Sequence, residues 1–298
     1  MSAELRVALI GYGEVGQVIA EDLRGHGVRH IAAWDLQFGD PTSVPSQAAR
    51  KGLVSAASRT ASRAEFAALV ISAVTAAQDL AAAESVAPHL APGAYYFDLN
   101  SVSPSVKQAA ARVIAEGAGR YVEAAVMSAI QPRRSGSPML LGGPDARGFA
   151  ALARDLGFTG VDVFDDAIGK ASAAKMCRSV VVKGMEALIA ESLLAGRHYG
   201  VEATVLDSLT NLFPSLDWDA HARYMMSRSL QHGARRAEEM REVARTVSDA
   251  GIEPWMSRAC VERQAWMANY GELAAVETLA RMLDELLAKS AVSGTTRC

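Results

Sequence analysis

Gly11-Tyr-Gly13-Glu-Val-Gly16, Asp35 and Lys175 are the residues whose types and spacing point most directly to chemistry. The glycines stand between an apolar run, Arg6 to Ile10, and a helical pattern from about Glu14 to Arg24. In that setting the first glycine permits a tight turn, the second lets backbone approach a pyrophosphate, and the third allows close helix packing. A diphosphate would lie over the helix N-terminus, where unpaired N–H groups and the helix dipole favour negative charge. Asp35 closes the next apolar run, His30 to Trp34, at roughly the 20-residue distance where an acid meets the ribose hydroxyls of a dinucleotide. Its charge repels the extra phosphate of NADP, so NAD is the expected cofactor. Arg50, Lys51 and Arg59 lie downstream, and one of them folding back toward the ribose would admit NADP. Tyr12, Glu14 and Val15 join the three glycines and Asp35 as cofactor-binding candidates.

Lysine occupies only six positions, 51, 107, 170, 175, 183 and 289, while arginine carries most of the positive charge. Lys175 is preceded by the small residues Ala171-Ser-Ala-Ala174 and shares a helix face with Ser179. A partly desolvated ammonium loses some of its pKa, which equips it to exchange a proton with a substrate hydroxyl. Read in isolation, a helix lysine is a solvated surface charge.

These residues must be positioned by strands and helices. The run from Arg6 to Trp34 reads as a βαβ unit, and further strands are expected at Leu69 to Val74, Tyr95 to Leu99, Tyr121 to Val126 and Pro138 to Leu141. Thr75-Ala-Ala-Gln78 has the form of a capping box, and Ser103-Pro104 places an N-cap before a helix-starting proline. Alternating strands and helices predict an α/β doubly wound parallel sheet covered on both faces. After about Asp166 strand signals give way to helix, so residues 1–166 read as a Rossmann domain and 167–298 as an all-helical substrate and dimerisation domain. A long connecting helix is expected at about 168–198. Breaks at Gly200, Phe213-Pro214 and Gly251 to Pro254 divide the rest of the helical pattern, and Ser290 to Cys298 reads as a frayed polar tail.

A chain of 298 residues is comfortable for two domains, and a formal net charge of −3 supplies no broad pull toward nucleic acid or anionic lipid. Neither nucleic acid nor membrane is expected as a partner. The absence of a spanning apolar run or signal pattern leads to a cytoplasmic expectation. Cys177, Cys260 and Cys298 are odd in number and widely spaced, pointing to neither a disulfide framework nor a metal site.

The order of features resembles the β-hydroxyacid dehydrogenases, relatives of 6-phosphogluconate dehydrogenase: Rossmann glycines, an acid after the second strand, Asp98-Leu-Asn-Ser101-Val-Ser-Pro104, then Lys175 on a long helix. The resemblance spans nearly the whole chain. It implies reversible hydride transfer between NAD(P) and a small hydroxy acid or related alcohol and carbonyl, Lys175 as acid or base, and a helical second domain that builds a homodimer. It also places Val74, Thr75 and Asn100 at the cofactor and Ser101 at the substrate. The family's D-A-P-V-S-G-G segment reads here Glu123-Ala-Ala-Val126-Met127-Ser128-Ala129, so the substrate serine falls on Met127, and Ala129 replaces a glycine. Ser179 stands where an asparagine is expected, with Arg178 beside it, and Glu238 falls where the family commonly has Lys-Asp. These departures imply a divergent subgroup with a different substrate.

Substrate-binding candidates are Ser101, Met127, Ser128, Ala129, Arg178, Ser179 and His232. Arg133, Arg134, Arg178, Arg235 and Arg236 are alternatives for gripping a carboxylate, because a guanidinium fork holds both oxygens. Trp218, Tyr224, Trp255 and Trp266 are expected in the core or at a dimer interface. There are two rival readings: an imine reductase, favoured by Glu238 and Glu239 but opposed by Lys175, and a dinucleotide-binding sensor without catalysis.

Overall fold

The computed structural model describes residues 4–56, 67–211 and 213–294. Arg59 and Cys298 lie outside them. Packing divides the chain into two compact units, Met1–Met176 and Cys177–Cys298.

The first unit is built on a sheet of β1 (Arg6–Ile10), β2 (His30–Trp34), β3 (Ser55–Ala56), β4 (Leu69–Ser72), β5 (Tyr95–Asp98), β6 (Arg120–Val126), β7 (Met139–Gly142) and β8 (Val161–Asp165). Their spatial order is β3-β2-β1-β4-β5-β6-β7-β8. The order reverses between β1 and β4, and a ligand crevice opens at the carboxyl ends of strands flanking such a reversal. Around the sheet are α1 (Glu14–Gly25), α2 (Val44–Ala49), α3 (Asp79–Val86), α4 (Pro104–Glu116) and α5 (Ala146–Asp155). Side chains alternate across the sheet: Val7, Leu9, Leu69, Ile71 and Phe97 enter one core, while Ala8, Ile10, Val70 and Tyr96 enter the other. Strands buried on both faces read as continuous apolar runs, which is why these were visible in the sequence. Phe97 packs on Phe149 and Phe158 at centroid distances of 4.7 and 5.3 Å. Each such ring, fully buried, contributes roughly 1.5–3 kcal/mol.

The sheet is parallel as expected except at one pairing, where β7 runs antiparallel to β6. Only residues 127–138 join the two strands, and their 3-10 turn at Arg134–Gly136 supplies no crossover helix to return the chain for parallel pairing. β8 pairs parallel with β7 after α5. β3 and β8 escaped the sequence reading, β3 because two residues carry no period and β8 because Asp162 and Asp165 interrupt its apolar run. The capping box at Thr75 is also corrected. Thr75 makes no side-chain cap; a 3-10 turn, Ala76–Gln78, intervenes before α3 starts at Asp79. Ser103 does precede Pro104 at the start of α4.

α6 (Lys170–His198) begins in the first unit and continues into the second. The second unit contains α7 (Glu202–Leu209), α8 (Trp218–Asp249), α9 (Trp255–Met267), a 3-10 stretch at Ala268–Ala275 and α10 (Leu279–Gly294). Every described element of this unit is helical. α10 corrects the first part of the expected tail, because helix persists to Gly294, its earlier turns held by the buried Leu279, Met282, Leu283 and Leu286; residues 295–298 of that tail lie outside the described residues. Leu193, Met226, Leu230, Met267, Met282 and Leu283 form the core of this unit. No helix among the described residues is long and apolar enough to cross a membrane.

Candidate functional site

The glycine turn follows β1 at the strand-order reversal. Gly11 has φ +91°, and a Cβ there would lie 2.4 Å from the Ala73 carbonyl oxygen at the end of β4. A Cβ on Gly16 would lie 2.2 Å from the Gly11 carbonyl oxygen, so this glycine lets α1 sit against the turn. Gly13 differs from both: a Cβ would meet nothing within 4 Å, leaving open space at the entrance to α1. The two tight positions shape the turn, and the open one faces room for a diphosphate over the first amides of the helix. The residues present therefore fit a dinucleotide. Glu14 is exposed and Val15 half-buried at the start of that helix.

Asp35 has a structural duty that sequence spacing did not disclose. One carboxylate oxygen accepts from the Tyr12 N–H at 2.7 Å and the other from the Gln37 N–H at 2.9 Å. The acid thus fixes the glycine turn to the end of β2, with lone pairs left for a ribose. Tyr12 itself turns its ring into the core, 1% exposed, edge-on to Phe38. Burial raises its phenol above the ordinary value. Arg50 donates to the Pro41 carbonyl at 2.8 Å, in the segment after Asp35, and both Arg50 and Lys51 are exposed.

Beyond β5, Asn100 ties two loops together. Its Oδ1 accepts from the Val74 N–H at 2.7 Å, and its Nδ2 donates to Ser72 Oγ at 2.9 Å and Asp79 Oδ1 at 2.6 Å. The side chain is 4% exposed, so Asn100 holds the Val74 loop in place, and Thr75 next to it is exposed. Beneath Asn100 lies a polar cluster invisible to motif reading. Asp98 pairs with Lys107 at 2.8 Å, accepts from the Tyr121 hydroxyl at 2.5 Å and from the Asn100 N–H at 2.9 Å. Asp98 and Lys107 are fully buried. Asp79 is pushed up to about 8 by burial and then by the neighbouring charge of Asp98, while burial drives the Tyr121 and Tyr96 phenols well up. Lys107 was among the six lysines but carried no local signal, since its partner is nine residues away in a strand.

Lys175 donates to Ser101 Oγ. Both residues are half-buried. Ser101 follows Asn100 directly, so the ammonium is delivered to the end of β5 next to the clamp on Val74. Glu123, fully buried in β6, accepts from the Gly169 and Ser172 N–H groups, each at 2.6 Å, at the start of the helix that carries Lys175. In the segment after β6, the Met127 N–H donates to the Pro138 carbonyl at 2.8 Å; Met127 is half-buried, whereas Ser128 and Ala129 are exposed.

The arginine candidates separate. Arg134 is spent on Asp22 and Glu21 of α1, at 2.7 and 2.8 Å. Arg235 pairs with Glu239 at 2.6 Å, and Arg236 is buried against Glu186. Arg133 and Arg178 are exposed. Within the helical unit Ser179 is buried, Glu238 is half-buried and the His232 ring meets Arg228 at 2.9 Å. Trp218 lies in the core and Trp266 packs on Tyr270, but Tyr224 and Trp255 are exposed. Cys260 is buried, which raises its thiol to about 11, and Cys177 is exposed.

Residues 6–169 match the NAD binding domain of 6-phosphogluconate dehydrogenase. The chain belongs to that family. Residues 197–267 of this 6-phosphogluconate dehydrogenase relative match a second domain whose function is unknown. A conserved hypothetical protein from Sinorhizobium meliloti is 38% identical, with 97% of each chain covered and a TM-score of 0.74. A second conserved protein of unknown function, described as structurally similar to 3-hydroxyacid dehydrogenases, is 30% identical. That match covers 92% of this chain and 100% of the other, with a TM-score of 0.69. Human mitochondrial 3-hydroxyisobutyrate dehydrogenase is 23% identical over 222 residues, which span 74% of this chain and 65% of that protein. The match thus leaves about a third of the human enzyme's length uncovered. The fold is that of the 3-hydroxyacid dehydrogenases, and its first unit is an NAD(P)-binding domain.

Proposed function

We propose that this chain is an NAD(P)-dependent dehydrogenase acting on a small hydroxy acid, or on the matching aldehyde or ketone, with Lys175 as the proton-transfer group. The observation that carries the reading is the hydrogen bond from Lys175 Nζ to Ser101 Oγ at the carboxyl end of β5. Bound nicotinamide supplies the acceptor or donor of hydride. The chain has to bind the cofactor, orient the alcohol and move its proton. Gly11, Gly13 and Gly16 make the diphosphate cradle, and Asp35 offers acceptors to the adenosine ribose. Its negative charge favours NAD over NADP. Val74, held by Asn100, lies just after β4 and walls the crevice between β1 and β4. Ser101 shares its hydroxyl with the Lys175 ammonium, and that pair is suited to receive a substrate hydroxyl and pass its proton along a short path. Met127, Ser128 and Ala129 are assigned to substrate selection, where the loss of a serine and a glycine sets this chain apart from the standard pattern.

The direct test is formation of reduced nicotinamide across a panel of 3-hydroxy acids, amino alcohols and 1,3-diols, with NAD and NADP in parallel. Turnover of at least one hydroxy acid, reduced by at least about a hundredfold in Lys175→Ala, is expected. Tight NAD binding without hydride transfer to or from any member would replace the proposal with a sensing role.

A further inference from the structure

We propose that Glu123 is a positioning residue for Lys175: its buried carboxylate sets the start of α6 and thereby keeps the Lys175 ammonium on Ser101. The inference rests on Lys175 being the proton-transfer group. Glu123 is fully buried in the middle of an apolar strand, where an ionisable side chain persists only if its oxygens are satisfied. Both are. Oε2 accepts from the Gly169 N–H and Oε1 from the Ser172 N–H, each at 2.6 Å, which supplies acceptors to two of the amides that a helix start leaves unpaired. The helix dipole adds to the attraction for a negative charge at this end. Ser172 stands one turn before Lys175, so a shift of the helix start passes directly to the ammonium.

The surroundings are shaped to admit this carboxylate. A Cβ on Gly142, in the neighbouring strand, would lie 2.6 Å from Glu123 Oε2, so any larger residue there has to push the carboxylate aside. Gly169 is pressed from a third side: its φ is +99°, and a Cβ there would come within 3.1 Å of Gln108 Nε2 and 3.2 Å of Pro104 Cβ. Gln108 Nε2 also donates to the Ile168 carbonyl at 3.2 Å. Pro104 and Gln108 belong to α4, whose lead-in segment carries Ser101. The contacts therefore close a circuit from Ser101 through α4 to Gly169, then along α6 to Lys175 and back to Ser101. Glu123 braces that circuit where α6 enters it. Because the two partners of the Lys175 pair are separated by 74 positions in the chain, nothing local holds them together.

The test uses full-length protein with its lysines labelled at Cε with carbon-13, and the Lys175 resonance assigned with Lys175→Arg. Glu123→Gln replaces one acceptor by a donor facing an N–H, and Gly142→Ala displaces the carboxylate without removing it. In both variants the Lys175 resonance is expected to move while those of Lys51, Lys183 and Lys289 stay. NADH affinity should remain within about twofold, and kcat should fall tenfold to about a hundredfold, the scale of a misplaced catalytic group. If Glu123→Gln fails to fold, Gly142→Ala carries the same readout. An unchanged Lys175 resonance in either folded variant overturns the proposal, as does a general shift of all the lysines with loss of NADH binding. A Lys175 shift in a protein that oxidises no substrate supports the placement by Glu123 and counts against the dehydrogenase reading instead.

Discussion

At the scale of single residues, the site depends on hydrogen bonds whose partners are distant in the chain. Asp35 holds the Tyr12 amide and, under the proposed function, also serves a ribose. Asp35→Ala is therefore expected to weaken NAD binding by about tenfold or more, consistent with about 1.5–3 kcal/mol for a bond to a charged group. NADP binding should fall less, because the repulsion toward its phosphate is lost as well. Paired titrations by isothermal calorimetry would check this; an equal loss for both cofactors would show that Asp35 acts only on the turn. Sequence reading reached the glycines, Asp35 and Lys175 because each carries a local signature in spacing or context. It did not reach Asp35's bond to Tyr12 or the side-chain bonds of Asn100, since nothing along the chain marks a partner 23 or 26 positions away.

The elements were legible where periodicity was strong and illegible where it was overridden. β1, β2, β4, β5 and β6 are apolar runs and were visible as such, whereas the antiparallel return of β7 depends on the connection before it. The carboxyl end of β5 is tied to the start of β6 and to α3 and α4 by the buried cluster of Asp79, Asp98, Lys107 and Tyr121. Its members come from two strands and two helices, so no single segment reveals it. Burial and the charge of Asp98 raise Asp79 from 3.8 to about 8. The folded chain then holds a proton that the unfolded chain has lost between those two values. Stability consequently falls as pH rises through that window and levels off above about 8. Asp79→Asn keeps an acceptor for Asn100 and cannot ionise, so it should flatten this decline, whose steepest contribution is about 1.4 kcal/mol per pH unit for one proton. Urea midpoints at a series of pH values would show it. An unchanged slope would mean that Asp79 titrates normally.

Over the whole molecule, each unit has its own core and its own polar device. The helical unit buries Arg236 against Glu186, and burial shifts the arginine down and the glutamate up. Sequence reading placed Arg236 among the substrate-gripping candidates because an arginine in a helix does not announce its depth. Arg236→Ala leaves a buried carboxylate without its partner and should cost about 3–5 kcal/mol in denaturant unfolding. A loss near zero would mean that water reaches the pair. The central claim is that the NAD(P)-binding unit presents Lys175 at Ser101 for proton transfer. Its most direct measurement is Lys175→Ala, with NADH affinity and turnover determined on the same preparation using the hydroxy acid that serves best. Affinity within about twofold and a loss of turnover of about a hundredfold to ten-thousandfold are expected. Full turnover with unchanged affinity would contradict it.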